Sequence, residues 1–461
     1  MTKMTELKFF NTLSRTKETF EPIETGKVGI YSCGPTVYSS PHIGNMYAYV
    51  CWDVLVRVLQ YLGYEVKNVI NITDVGHLVS DGDSGEDKME KGSKKEGLSV
   101  WEIAKKYEDE FLTNLDELNI ERPWKLPRAT DHIAEQINLI QKIEANGYTY
   151  KTSDGIYFDT SKMVDYGKMA NLNLEKIKEG ARVEVNEEKK HPTDFALWKF
   201  SPKGVKRQME WESPWGVGFP GWHIECTAMS TKYLGEKFDI HTGGEDHIPV
   251  HHTNEIAQAE GAFGHDLVKY WIHNAFITFK GNKISKSSGG LWTIADLKKM
   301  GFEPLAFRYM VLSSHYRKGM EFSIESLKSA QTALLKLRKY RVEDGKDYEV
   351  NQAFRQEFIS KISDDLAMPE ALAVVWKLMK SDLIVGEKWA TLLDMDKVLG
   401  LRLGETVFEE KIPEEIAQLA QQRQQARENK NWAESDRLRE LIKSQGYLVE
   451  DLANSCKIRK I

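Results

Sequence analysis

The sequence has few cysteines and no long apolar runs. Its 461 residues include only four cysteines, too few for the disulfide framework of a small secreted protein. No stretch reaches the roughly 18–20 consecutive apolar residues that a membrane-spanning helix needs. Residues 1–6 also lack the apolar run of a signal peptide. We therefore expect a reduced, cytoplasmic protein without a membrane partner.

Positive charge is not in excess either. The formal net charge is −6, which argues against non-specific coating of a polyanion, although a local basic groove for RNA remains possible. Hydrophobic residues make up 41% of the chain and charged residues 29%, which is ordinary for a globular protein. The length allows two or three domains.

Residues 27–72 alternate between strand and helix patterns. A short buried strand is predicted over 27–32, a helix over 51–62 from its apolar spacing, and a second strand over 65–72. Strand, helix and strand form a βαβ unit, which predicts an α/β fold with a Rossmann-like, doubly wound parallel sheet. Ligands of such sheets bind beyond the carboxyl ends of the strands. Cys33 follows the first strand, and Thr73 and Asp74 follow the second.

The patterns divide the chain into five segments. The parallel sheet is expected in two halves with an inserted subdomain between them. A helical bundle follows, and then a small C-terminal module with two short amphipathic helices, near 414–428 and 432–444. The expected bounds are 1–120 and 213–303 for the halves, 121–212 for the insert, 304–403 for the bundle and 404–461 for the module.

Soft metal ligands recur far apart in the chain. Cys226 is followed by His251 and then by Glu255, and the last two lie at i, i+4 on one face of a helix. With Cys33 they would complete a tetrahedral zinc site. The choice between His251 and His252 stays open, because His252 and Glu255 are at i, i+3. Without a CxxC pair, the thiols could also be ordinary buried cysteines.

Two loops suit a nucleotide. Pro41-His-Ile-Gly-Asn45 precedes the first helix, where backbone amides can face phosphates and Gly44 permits close approach. Lys283-Ile-Ser-Lys-Ser287 lies between glycines, and its two lysines suit the charge that builds on a triphosphate as it is cleaved. Each motif is weak alone, but the pair in this order is stronger. The sequence has neither a GxGxxG nor a GxxxxGK[ST] motif.

Longer segments carry a family resemblance. His42–Asn45 and Lys283–Ser287 resemble the HIGH and KMSKS signatures of class I aminoacyl-tRNA synthetases. Tyr31-Ser-Cys-Gly-Pro-Thr-Val-Tyr38, Gly-Trp-His-Ile-Glu-Cys at 221–226 and His-His-Thr-Asn-Glu-Ile-Ala-Gln at 251–258 are similar to segments of the cysteine-specific members. The resemblance covers roughly residues 8–461. It implies a catalytic domain in 1–120 and 213–303, a connective insert, a stem-contact bundle and an anticodon-binding module.

The resemblance implies one zinc ion per chain, held by Cys33, Cys226, His251 and Glu255, which binds the thiolate of the substrate. Serine differs from cysteine by one atom, so an apolar pocket separates the two poorly. A zinc–thiolate bond supplies an interaction that a neutral hydroxyl cannot reproduce.

The resemblance also implies roles around ATP, which enters as a substrate with Mg²⁺. The catalytic residues are expected to be His42, Asn45, Lys283 and Lys286. ATP would contact His42, Gly44, Asn45, Gly243, Gly244, Asp246, Lys283 and Lys286. The amino acid would contact Thr73, Trp222 and His241, and Asp74 is a further candidate.

The C-terminal module is expected to read the tRNA anticodon through Arg427, Trp432, Asp436 and Asp451, because arginine, aspartate and an aromatic ring suit unstacked RNA bases. Three departures from the family pattern occur. Asn45 replaces the second histidine of HIGH, Ile284 replaces the usual methionine, and Asn454-Ser-Cys-Lys-Ile458 lacks the usual tryptophan.

The resemblance thus implies a monomeric enzyme that activates L-cysteine with ATP and transfers it to the 3′ end of tRNA(Cys). Two alternatives are a ligase that joins activated cysteine to an amino-sugar and a non-catalytic zinc protein that binds RNA. The C-terminal module disfavours the first alternative. The lysine loop beside the His-Ile-Gly signature disfavours the second.

Overall fold

The computed structural model describes residues 6–76, 88–171, 187–202, 204, 207–279, 282–283, 292–405, 413–451 and 456–460. The chain divides into two compact units, Met1–Arg402 and Leu403–Ile461. Within the described residues, no helix is both long enough and apolar enough to cross a membrane.

The described residues of the two units contain the following strands and helices, numbered along the chain. The strands are β1 (Lys8–Asn11), β2 (Thr16–Thr19), β3 (Lys27–Ser32), β4 (Glu65–Ile70), β5 (Thr149–Lys151), β6 (Gly155–Phe158), β7 (Phe195–Phe200), β8 (Gly218–Pro220), β9 (Phe238–Gly244), β10 (Val268–Asn274), β11 (Ile277–Phe279), β12 (Asn282–Lys283), β13 (Met320–Glu321), β14 (Tyr447–Asp451) and β15 (Cys456–Lys460). The helices are α1 (Ile43–Tyr61), α2 (Lys88–Glu96), α3 (Val100–Glu117), α4 (Ile133–Ala145), α5 (Trp222–Leu234), α6 (His251–Phe263), α7 (Ile294–Lys299), α8 (Pro304–Leu312), α9 (Ile324–Arg338), α10 (Gln352–Ile362), α11 (Met368–Lys380), α12 (Val385–Leu399), α13 (Glu414–Glu428) and α14 (Trp432–Ser444).

The predicted doubly wound parallel sheet is confirmed. Its strands lie in the order β10, β9, β3, β4 and all run parallel. The strand order reverses between β3 and β9, where Ser32 lies opposite Thr242. A crevice outside the carboxyl ends of the strands at such a reversal is where ligands bind in these folds.

Helix α1 begins at the crevice. His42 is its N-cap: Nδ1 of His42 accepts from the Asn45 amide (3.3 Å), and Oδ1 of Asn45 accepts from the His42 amide (3.1 Å). This reciprocal pair is a capping box, which satisfies two backbone donors of the first turn. The helix ends at Tyr61, and Gly63 then adopts φ +94°, a conformation that disfavours side chains.

An antiparallel sheet that the sequence patterns did not predict combines three strands of the inserted segment with β8, which follows it. Its order is β5, β6, β7, β8, and it packs on α4, α5 and α6 through a buried cluster that includes Trp198. Rings of Phe158 and Phe195 stack with centroids 5.1 Å apart. All four residues of β6 are buried, so the strand lacks the alternation that reveals half-buried strands.

A buried arginine joins the helical segment to α1. Arg308 on α8 has no exposed surface and lies with Nη2 2.6 Å from Oδ2 of Asp53 on α1. Its Nε donates to the Leu399 carbonyl at the end of α12 (2.6 Å). Removing one partner of such a buried pair typically costs about 3–5 kcal/mol, so this contact fixes α1 against α8 and α12.

The second unit has a small core of its own. Helices α13 and α14 and the antiparallel pair β14 and β15 meet at Ile416, Ala420, Ile442 and Val449, all buried. The two helices coincide with the amphipathic segments predicted from the sequence.

Candidate active site

A cavity of about 540 Å³ opens at the carboxyl ends of β3, β4 and β9. Its volume lies within the usual range for small-molecule sites. The lining brings together most of the predicted site residues: Cys33, His42, Gly44, Asn45, Thr73, Trp222, Cys226, Gly243, Gly244, Asp246 and His251.

One wall of the cavity is the start of α1. A Cβ at Gly44 would lie 2.9 Å from the His42 ring and 3.2 Å from Ile277, so glycine lets the ring fold over the first turn. Oδ1 of Asn45 is used by the capping box, which leaves its amide nitrogen as the group that could donate to a ligand. The Ile43 amide donates to the Trp292 carbonyl (2.8 Å) and the Asn45 amide to His42, so it is the positive end of the helix dipole that favours an anion at this wall.

The end of β9 forms the facing wall. A Cβ at Gly243 would lie 2.6 Å from Cε1 of His252 and 2.8 Å from Nδ1 of His247, and one at Gly244 would lie 2.4 Å from Oδ1 of Asp246. Only glycine therefore lets these side chains lie against the strand. Both glycines line the cavity, and without side chains they let a ligand approach the backbone closely.

Potential metal ligands meet at the floor of the cavity. Ligand atoms of Cys33, His251, His252 and Glu255 all lie within 4.8 Å of one another. Nε2 of His251 is 3.0 Å from Oε1 of Glu255, and Sγ of Cys33 is 3.2 Å from Nε2 of His252. Cys226 is buried, with its Sγ 3.8 Å from Oδ1 of Asn71, and the close group contains His252 where the prediction had Cys226.

The cluster holds buried charge of both signs. A hydrogen bond from Cys33 lowers the pKa of Cys226 to about 6, whereas burial raises the pKa of the Cys33 thiol well above its usual range. Burial opposes ionisation of Glu255, yet His241 and His251 lower its pKa to about 2. Burial would lower the pKa of His251, but Glu255 and Cys226 raise it to about 10. Two anions thus face one imidazolium.

The donor set fits a divalent metal ion. Oε1 of Glu255 is fully buried, and although Nε2 of His251 lies 3.0 Å away, no described residue meets the geometry of a hydrogen bond to this oxygen. Thiolate, imidazole and carboxylate are the ligands that zinc prefers. A divalent cation would take the place of the protons on Cys33 and His251 and would neutralise the anions they face.

Of the three residues predicted to contact the amino acid, two line the cavity and one does not. The Trp222 ring stacks on His251 with centroids 4.6 Å apart and lines the cavity, as does Thr73. His241 does not line the cavity; it is buried behind Glu255, with Nε2 3.0 Å from Oε2.

Asp74 also turns away from the cavity. Its carboxylate accepts from the amide (3.0 Å) and the hydroxyl (2.5 Å) of Thr130. Burial raises the pKa of Asp74 to about 6. The carboxylate therefore holds Thr130 and its neighbours at the edge of the sheet.

The remaining predicted residues are placed as follows. Lys283 is in β12, where its backbone pairs with Thr278, and Lys286 lies outside the described residues. In the second unit, Arg427 is near the end of α13 and Trp432 and Asp436 are on α14, with Trp432 60% exposed. Asp451 ends β14.

Sequence reasoning missed several residues around the cluster. Nδ1 of His223 lies 2.9 Å from Nδ1 of His251, and Nδ1 of His252 lies 2.7 Å from Nε2 of His273. Tyr107 lines the cavity from α3. His223 stands within the Gly-Trp-His-Ile-Glu-Cys segment, which offered a signal. Nothing in the sequence marked His273 or Tyr107.

Comparison with known proteins identifies the family. Residues 19–332 match the family described as tRNA synthetases class I (C) catalytic domain. The chain is 50% identical over 447 residues to cysteine--tRNA ligase 1 of Burkholderia lata, which covers 96% of this chain and 95% of that protein. It is 43% identical over 490 residues to the cysteine--tRNA ligase of Treponema denticola, covering 99% and 100%. Its identity to the Thermus thermophilus cysteine--tRNA ligase is 41% over 471 residues, covering 96% and 97%.

A solved structure shares the fold. Mycobacterium tuberculosis methionyl-tRNA synthetase in complex with methionyl-adenylate superposes with a TM-score of 0.54 at 15% identity, over 82% of this chain and 90% of that one. Because the family match spans the whole parallel sheet and the relatives align almost from end to end, this chain belongs to the cysteine--tRNA ligases, a family of class I aminoacyl-tRNA synthetases.

Proposed function

We propose that the protein uses ATP to convert L-cysteine to cysteinyl-adenylate and then transfers the cysteine to the 3′ end of tRNA(Cys). The observation that carries this proposal is one cavity that contains both a helix start suited to phosphates, at His42 and Gly44, and a soft-ligand cluster, at Cys33 and His251. A nucleotide and a thiol-bearing amino acid bound there would meet within one site.

Recognition of cysteine is proposed to depend on zinc held by Cys33, Cys226, His251 and Glu255. When bound, zinc would supply a soft Lewis-acid centre that takes the sulfur of the substrate as a thiolate. The chain's own part is to hold these four ligands under the cavity and to close one side of it with Trp222, whose ring stacks on His251. Thr73 lies at the cavity wall, where its hydroxyl can bind the polar end of the amino acid.

Activation is proposed to proceed between the two walls of the cavity. The cysteine carboxylate attacks the α-phosphate, and pyrophosphate leaves. His42, the side-chain NH₂ of Asn45 and the positive end of α1 beside Gly44 would bind the phosphates, while Gly243, Gly244 and Asp246 would bind adenosine. Lys283 and Lys286, with Mg²⁺, would neutralise the charge that develops on the triphosphate; such donors act mainly on the transition state.

The second unit is proposed to read the anticodon. Trp432 exposes most of its ring and Asp436 is exposed four residues later on α14, and an open ring beside a carboxylate suits an unstacked base. Arg427 and Asp451 complete the predicted set. We further propose a cytoplasmic monomer with the five-segment division given above.

Charging assays test the proposal. With radiolabelled cysteine, ATP and zinc, the enzyme should form an acid-precipitable ester on a tRNA(Cys) transcript but not on a tRNA(Ser) transcript. Transfer of cysteine to an amino-sugar, with none to tRNA(Cys), would replace this function by the alternative ligase. Absence of cysteine-dependent pyrophosphate exchange would exclude both.

A further inference from the structure

A line of hydrogen bonds reaches the metal-ligand cluster from the outer edge of β10, where the Thr12 amide donates to the Trp271 carbonyl (2.8 Å). Oγ1 of Thr12 lies 2.8 Å from Nδ1 of His273, and Nε2 of His273 lies 2.7 Å from Nδ1 of His252. Nε2 of His252 then lies 3.2 Å from Sγ of Cys33. His252 has no exposed surface and His273 is 6% exposed, so water does not compete for these contacts.

The chemistry of the groups makes the line directional. A neutral imidazole has one donor nitrogen and one acceptor nitrogen. Two imidazoles in series must therefore donate in the same direction, either towards Cys33 or away from it. A thiolate can only accept. When Cys33 is a metal-bound thiolate, Thr12 donates to His273, His273 donates to His252, and His252 donates to Cys33.

His251 precedes His252 in the chain, and its two ring nitrogens have the opposite donor and acceptor roles. Nε2 of His251 lies 3.0 Å from Oε1 of Glu255, whereas Nε2 of His252 lies 3.9 Å from the same oxygen. Nδ1 of His251 faces Nδ1 of His223 at 2.9 Å. If Nδ1 of His251 donates to His223, its Nε2 presents a lone pair to the cluster, as a metal ligand must.

We propose that Thr12 and His273 are positioning residues that make His252 a hydrogen-bond donor to the Cys33 thiolate, which keeps His252 out of the ligand set and leaves His251 as the ligand. The proposal rests on the zinc site proposed above. It assigns different tasks to two adjacent histidines whose ligand atoms both lie within the cluster. Partners of this kind typically change metal affinity by about 10–100-fold.

Substitutions at 252 separate a donor from a ligand. Glutamine places an amide N–H near the position of Nε2, so His252→Gln should keep zinc affinity within a few-fold of wild type, whereas His252→Leu should weaken it by about 10–100-fold. His251→Gln should weaken it much more. Zinc affinity is measured by competition with a chromophoric chelator. The Co²⁺-substituted protein reports the ligands independently of activity, because tetrahedral cobalt with thiolates has characteristic absorption bands.

Variants at two further positions test the line of hydrogen bonds itself. His273→Phe keeps an aromatic ring but removes both nitrogens, so it should resemble His252→Leu. Thr12→Val should weaken zinc binding and Thr12→Ser should restore it. The matched control is His132→Leu, because His132 is equally buried and hydrogen-bonds to the Arg128 carbonyl and the Tyr233 hydroxyl; its zinc affinity and cobalt spectrum should match wild type.

The outcomes distinguish the inference from the zinc proposal. A His252→Gln protein that loses zinc and its tetrahedral cobalt spectrum as fully as His251→Gln would make His252 a ligand and overturn the inference alone. His273→Phe with wild-type zinc affinity would also overturn it. Wild-type protein that binds neither ion at micromolar concentration would overturn the zinc site and the inference together.

Discussion

Replacing Asp74 by asparagine should stabilise the protein at neutral pH without impairing cysteine activation. Burial raises the pKa of this carboxyl from 3.8 to about 6. The raised pKa means that the folded state holds the proton more tightly than the unfolded chain, so the contribution of Asp74 to stability is fully present below pH 4 and is lost as the pH rises through 6. The loss approaches about 3 kcal/mol, because a shift of one unit is worth about 1.4 kcal/mol.

Asparagine removes this loss and keeps the hydrogen bonds. Its oxygen can accept from the Thr130 amide, and its NH₂ can donate to the Thr130 hydroxyl, which is able to accept. The gain in unfolding free energy should therefore grow from about 0.5 kcal/mol at pH 4 to about 3 kcal/mol at pH 8. Urea unfolding followed by tryptophan fluorescence at several pH values measures it.

Asp194 provides the matched control. It is also buried, but Oδ1 accepts from the amide and hydroxyl of Thr160 and Oδ2 accepts from the His191 amide and the Tyr150 hydroxyl. An asparagine NH₂ cannot accept from an amide, so Asp194→Asn should cost about 1–3 kcal/mol. If Asp74→Asn is destabilised to the same extent, or loses pyrophosphate exchange, the structural role given to Asp74 is wrong.

Three further predictions concern the steps of the reaction. Lys286→Ala should slow ATP–pyrophosphate exchange by about 10²–10³ with little change in the KM for cysteine, and near-wild-type exchange would refute the role of that loop. Trp222→Ala should raise the KM for cysteine more than the KM for ATP, because the ring borders His251 and not the start of α1; equal changes in both would argue against it. A chain ending at Arg402 should keep pyrophosphate exchange and lose efficient charging of tRNA(Cys), and unchanged charging would exclude an anticodon role for residues 403–461.

Local patterns were sufficient for the elements that carry the site. The sequence predicted a strand at 27–32, the limits that β3 has in the structure, and helices at 414–428 and 432–444, the limits of α13 and α14. Helix α14 begins at the Asn431 cap, and every third or fourth residue of a stripe along α13 and α14 is buried, signals that neighbouring residues determine. The antiparallel sheet of β5 to β8 was missed because its strands are short and β6 is buried throughout.

Contacts between distant residues could not be read from spacing. The sequence could not separate His251 from His252, since both project towards Glu255, and only packing against His223 and His273 distinguishes them. Asp74 was a candidate for binding the amino acid because it follows a strand end. In the structure it faces Thr130, a residue of a loop that passes along the outer edge of β4.

Cysteine-dependent ATP–pyrophosphate exchange, measured with zinc-loaded and zinc-depleted enzyme and with serine as the competing substrate, tests most directly whether the soft-ligand cluster selects the substrate of this cavity. The zinc-loaded enzyme should exchange with cysteine and not with serine, zinc removal should abolish exchange, and added zinc should restore it. Cysteine-dependent exchange that persists undiminished in the depleted enzyme, or in Cys226→Ser, would contradict that role.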